Sequence, residues 1–315
     1  PETAFAPNRD SMVNNTVNVA FELADSGAMA NAITSTLSVL DGVVGGSVAV
    51  QEKKKQLRRK FIDALATSVT GDAPVSESQA LQAAQTVSNV VSKPDQLDTA
   101  AATKAADLLE RLVGKQLDAS MEEELSPGDM LAAPADFVEN VAGGVVNILS
   151  ALGSQQDSAN VLLSSSAAVV NGTKRAAAVS KSIARRLLPG MVPGQTPKLI
   201  RVVATGGGSN LSMSAARYGM STAPTTPMPV SKATLSSSAF ASDARVADFV
   251  AVEMPSTVYK FAQAPGGKSF SSVSNSIISL EILAANGTKL DLGTSSTCKV
   301  NMELTTIPGP TVIDG

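Results

Sequence analysis

The stretch PGMVPGQTP, residues 189–197, packs three prolines and two glycines into nine positions. Proline lacks a backbone donor and fixes φ, while glycine releases it, so neither a helix nor a central strand runs through such a segment. Hydrophobic periodicity changes across it. Before it, apolar residues recur every three to four positions; after it they alternate, the spacing of strands. The expected class is therefore α+β. A helical subdomain of about six helices over 1–197 precedes an antiparallel, β-sandwich-like subdomain over 198–315.

The helical expectations are specific. A first helix runs from Val13 to Leu40, with Val17, Phe21, Met29, Ile33 and Leu37 apolar. A second, Val48 to Val69, carries the stripe Leu57, Phe61, Leu65 and Val69. A third, Ser76 to Val91, opens on Ser76 with Gln79 three residues later, a capping-box pattern. The fourth, DQLDTAAATKAADLLERLVGKQL, presents Leu97, Ala101, Leu108, Leu112 and Leu117. The fifth, Pro134 to Leu152, turns Phe137, Val141, Val145, Ile148 and Leu149 inward, and the sixth runs from Ser158 to Leu188.

Beyond the junction, KLIRVVATGGGSNLSMSA reads as two strands around a glycine turn, and VADFVAVEMP as a weaker one. SNSIISLEILAANGTKLDLG alternates at Ile278, Leu280 and Ile282, reaches Asn286-Gly287, and resumes at Leu290 and Leu292. Asn-Gly accepts the positive φ angles of a tight hairpin turn, so a hairpin is expected there. CKVNMEL places Val300, Met302 and Leu304 on one face, expected to share a core with Ile278, Leu280 and Ile282. Pro308 and Pro310 interrupt any further pairing, which predicts a sheet edge left open for a segment from elsewhere.

Chemistry is bounded by what the chain lacks. It has no histidine and no tryptophan. Ser-His-Asp and Cys-His catalysis and histidine metal sites are excluded within it, and no paired catalytic carboxylates stand out. No enzyme activity, cofactor or metal is expected. A net charge of −3 gives no reason to expect nucleic acid. The single cysteine, Cys298, is either a small buried hydrophobe or half of a disulfide to a residue outside this chain. Gly206-Gly207-Gly208 lacks the lysine and following helix of a phosphate loop and reads as a hairpin tip. Lys53, Lys54, Lys55, Arg58, Arg59 and Lys60 form a dense basic run, read here as the solvated face of the second helix.

Four Asn-x-Ser/Thr sequons occur, at Asn14, Asn171, Asn210 and Asn286. Each is an acceptor if the chain passes through the secretory pathway. Asn210 and Asn286 lie at expected turns and are favoured; Asn171 falls inside the sixth helix and must face solvent to be used. No membrane span is expected. The most apolar stretch, FVENVAGGVVNILSALG, is interrupted by Glu139, Asn140 and Asn147. The chain begins at Pro1 without a signal-peptide pattern and reads as a segment of something longer.

The order of helices, Pro/Gly junction and β module resembles the GAIN domain of adhesion receptors and of polycystin and receptor-for-egg-jelly relatives. The closest likeness lies in VSNSIISLEILAANGTKLDLGTSSTCKVNMELTTIP, and ADFVAVEMPSTVYKFA is similar to the preceding family strand that ends in proline. The helical array, including AADLLERLVGKQL, resembles the family's helical subdomain. The family's His-Leu-Ser/Thr cleavage motif is missing from this chain, so no cleavage residue carries over. The resemblance implies a non-catalytic extracellular or cell-surface segment of a large polycystin-like glycoprotein, with a cilium or flagellum as one setting. Its implied partners are neighbouring ectodomain segments and a polycystin-type channel subunit. A self-assembling extracellular or flagellar filament subunit is the alternative.

Overall fold

The structure, a computed structural model, describes residues 26–42, 47–69, 76–121, 133–156, 163–207, 209–219, 229–230, 234–235, 246–255, 276–284 and 300–301. Among the described residues, six α-helices are followed by a four-stranded antiparallel sheet, so the fold class is α+β. The helices are α1 (Ser26–Gly42), α2 (Val48–Val69), α3 (Glu77–Val90), α4 (Thr99–Met121), α5 (Ala135–Gln156) and α6 (Leu163–Arg185). The strands are β1 (Lys198–Val203), β2 (Asn210–Gly219), β3 (Thr234–Leu235), β4 (Val246–Pro255), β5 (Ser276–Ala284) and β6 (Val300–Asn301). Two compact units emerge. One takes α1 to α5, α6 as far as Val179, and the turn Ala204–Gly206; the other takes the rest of α6 from Ser180 and the strands.

Local chemistry sets the helix starts. The Ser76 hydroxyl accepts from the Gln79 N–H at 3.3 Å, and the Ser76 N–H donates to Gln79 Oε1 at 3.0 Å, completing the expected capping box of α3. Asp98 caps α4 by accepting from the Ala101 N–H at 2.7 Å. Within the helical unit, α3 packs on α1, α4 and α5. The core is built largely from Ala, Val and Leu, including Ala102, Ala105, Leu109, Val145 and Ile148, all fully buried. Small residues let the helices approach closely. At Gly172 in α6, a Cβ would lie 2.7 Å from Thr103 Oγ1 of α4 and 3.1 Å from Leu152 of α5, so only glycine fits.

Helix α5 carries the apolar stretch FVENVAGGVVNILSALG. Residues Ala135–Gln155 of α5 are long and apolar enough to cross a membrane, with mean hydropathy 1.2 despite Glu139, Asn140 and Asn147. Here α5 is a core helix: 72% of its most apolar window is buried inside the chain. Asn147 contributes by accepting from the Thr205 N–H at 2.8 Å, a partner that accounts for its burial.

The sheet runs β1-β2-β4-β5. The glycine turn between β1 and β2 is as expected, with Gly206 and Gly207 at φ of 102° and 82°, values that side chains disfavour. Paired residues share a face. Phe249 of β4 pairs with Ala216 of β2 and Ile282 of β5, and Ala251 pairs with Leu280. These residues, with Tyr218, Ala247 and Val230, form one hydrophobic cluster, so Leu280 and Ile282 face the core that alternation predicts. The opposite face is buried too: β2 is buried at every position from Leu211 to Ala216 and β4 from Ala247 to Val252. Val300 does not join this sheet. The β6 pair Val300–Asn301 runs antiparallel to Thr234–Leu235 in a separate two-stranded sheet. The Asn286-Gly287 turn, Leu290, Leu292, Met302 and Leu304 lie outside the described residues.

Candidate functional site

Asn210 opens β2 and is exposed. In the antiparallel register its partner is Val203, the last residue of β1. Val203 is 61% exposed and Leu199 40%, and with Arg201 they lie on one face of β1 while Lys198, Ile200 and Val202 point to the other. Among the described residues, no strand pairs with the outer edge of β1. Asn171 is also exposed, on the outer side of α6, but the next two residues of its sequon, Gly172 and Thr173, are buried in helix packing. Asn14, Asn286 and Cys298 lie outside the described residues.

The basic run is where the expectation needs correcting. Lys53, Arg59 and Lys60 are exposed, but Lys54 and Arg58 are buried and Leu57 is only half-buried. The buried stripe of α2 is therefore Lys54, Arg58, Phe61, Ile62, Leu65 and Val69. The reason is the hydrogen-bonding need at the end of α3. Arg58 Nε donates to Gln96 Oε1 at 3.0 Å, its Nη1 donates to the carbonyls of Val90 and Asn89, and its Nη2 pairs with Asp41 of α1. A guanidinium thus serves the Val90 carbonyl at the last turn of the helix and adds to the Ser92 N–H on the Asn89 carbonyl. Burial pulls the Arg58 pKa below its ordinary value, and Asp41 opposes that shift. The periodicity held the signal: Lys54 and Arg58 sit four residues apart in line with Phe61 and Leu65.

A second charge pair, half-buried Arg217 with buried Asp248, lies in the sheet unit. Arg217 of β2 and Asp248 of β4 are register partners, bonded in parallel through Nε–Oδ1 at 2.6 Å and Nη2–Oδ2 at 2.8 Å. Arg217 Nη1 also donates to the Met191 carbonyl at 3.0 Å, and the Arg217 carbonyl accepts from the Gly194 N–H. The Pro/Gly junction is thereby tied to the sheet. The hydrogen bond to Asp248 raises the Arg217 pKa. Arg185, at the end of α6, makes a similar link through Nε and Nη2 to Glu281 of β5 at 3.0 and 2.9 Å.

Among the described residues, no group of three or more His, Cys, Asp and Glu side chains is placed to hold a metal ion. No family model and no curated protein matches the chain. Its reading therefore rests on its own residues.

One buried group has a measurable signature. Tyr218 stacks edge-on against Phe249 with centroids 5.1 Å apart, and its hydroxyl has no hydrogen-bond partner among the described residues. Burial raises its pKa above the ordinary value of 10.0. In the unfolded chain the phenol ionises first, so its contribution to stability holds below pH ~10 and is lost as pH climbs towards the folded-state value. Tyr218→Phe keeps the stacked ring and removes the orphaned hydroxyl. We expect it to raise stability by about 1 kcal/mol at neutral pH and to flatten the alkaline decline, read by urea melts at several pH values. A loss of stability at neutral pH would show that the hydroxyl is bonded.

Proposed function

We propose that this chain is a non-catalytic extracellular segment of a large polycystin-like surface glycoprotein, serving as a spacer and interaction module at a cell or ciliary surface. The observation that carries the reading is the element order. A helical unit precedes an antiparallel sheet, and its strand β4 ends at Pro255, as the preceding strand of the GAIN family does. The exposed sequon residues Asn171 and Asn210 fit a glycoprotein. The buried groups Arg58, Asp248 and Glu281, with the half-buried Arg217, join structural elements to one another, the arrangement of a scaffold. Neighbouring ectodomain segments and a polycystin-type channel subunit are the partners this reading implies. Labelling of intact cells with a membrane-impermeant reagent tests it, by whether the segment is reached from outside.

A filament subunit is the second reading, and one observation favours it. The outer edge of β1, with Leu199 and Val203 exposed beside it, offers backbone groups for strand addition. Electron microscopy of native protein separates the two: fibres support the filament, isolated particles the spacer.

A further inference from the structure

We propose that Asn210 carries an N-linked glycan that covers the exposed side chains Leu199 and Val203 of β1 and keeps that edge from pairing with a second copy. The inference rests on the secretory reading above and adds a function for one sequon.

The geometry is local and direct. Val203 is the cross-strand partner of Asn210, so their Cβ atoms lie about 5 Å apart on the same face, roughly the width of one sugar ring. The first sugar on Asn210 therefore lies over Val203. Arg201 and Leu199 continue the same face, Leu199 about 13 Å from Val203 at strand spacing, within the span of a branched core oligosaccharide. An edge strand with exposed valine and leucine is the kind that proteins ordinarily blunt with charge, proline or a covering element. Here Arg201 is the one charge on that face of β1, and a bulky hydrated group beside Val203 supplies the rest.

Attachment precedes folding of the hairpin, because Leu211 and Ser212, the other two sequon residues, are buried once β2 is in place. The donor is a lipid-diphosphate-linked oligosaccharide. Asn210 Nδ2 attacks the anomeric carbon, the C–N bond forms as the C–O bond to diphosphate breaks, the amide gives up one proton, and the lipid diphosphate leaves.

The test is secretion of the full 315-residue chain from a glycosylating host. The chain is compared with Asn210→Gln and with Ser212→Ala, which keeps the asparagine but removes the acceptor pattern. Intact mass and glycopeptide mapping report occupancy; light scattering across a concentration series reports self-association. We expect both variants to lose one glycan and to self-associate at several-fold lower concentration, and Val203→Thr added to Asn210→Gln to restore the original behaviour. Glycans on other sequons with Asn210 empty would overturn this inference while leaving the secretory reading standing. No glycan on any sequon would overturn both. An occupied Asn210 whose loss leaves self-association unchanged would overturn the shielding role.

Discussion

Arg58→Leu should destabilise the helical unit by about 3–5 kcal/mol, the range for removing one partner of a buried, hydrogen-bonded charge pair. The side chain is fully buried and meets four acceptor groups at once: Asp41, Gln96 Oε1 and the carbonyls of Asn89 and Val90. Leucine fills part of the volume but removes the donor to Gln96 Oε1 and the Val90 carbonyl and the cation beside Asp41, while the Asn89 carbonyl keeps the Ser92 N–H; each orphaned buried acceptor costs about 1–3 kcal/mol. Arg59→Leu is the matched control. Its guanidinium is largely exposed, 3.7 Å from Asp98, and its replacement should change stability by no more than about 0.5 kcal/mol. Urea melts followed by helical circular dichroism read both. Equal midpoints for the two variants would return Arg58 to the solvated face that the charge run alone suggests.

Arg217→Met should be comparably severe in the sheet unit, again about 3–5 kcal/mol, because Asp248 is then left buried without its cation. The pair also ties β2 and β4 to Met191, so the junction loses an anchor. Joining it with Asp248→Leu should recover much of the loss. Leu283 is the register partner of Asp248 on β5 and Val250 lies two residues along the same face of β4, so an apolar side chain at position 248 has apolar neighbours. A double variant as unstable as the sum of the singles would mean that the two residues act independently.

These two charges mark the limit of what the sequence made legible. Periodicity located the helices and separated them from the strands, and the Ser76–Gln79 cap and the glycine turn were readable because each rests on chemistry within a few residues. Arg58 was only half readable: its spacing from Lys54, Phe61 and Leu65 put it on the buried stripe, but the partners that let a guanidinium be buried there lie seventeen to thirty-eight positions away. The two-sided burial of β2 was hidden for a different reason. Its sequence, NLSMSAARYG, alternates Leu211, Met213 and Ala215 with Ser212 and Ser214, which reads as a strand with one polar, solvated face, yet both serines are buried. The register that sets Val203 beside Asn210 needed the pairing itself, because the six residues between them admit more than one turn.

Exposure at the cell surface is the most direct test of the account. Intact cells bearing the native protein are treated with a membrane-impermeant amine reagent, and the segment is recovered and mapped. Lys53, Lys60 and Lys174 are exposed and should be modified without permeabilisation, while the buried Lys54 should remain unmodified and serve as an internal check that the chain is folded. Modification of Lys53, Lys60 and Lys174 only after the membrane is opened would contradict an extracellular segment.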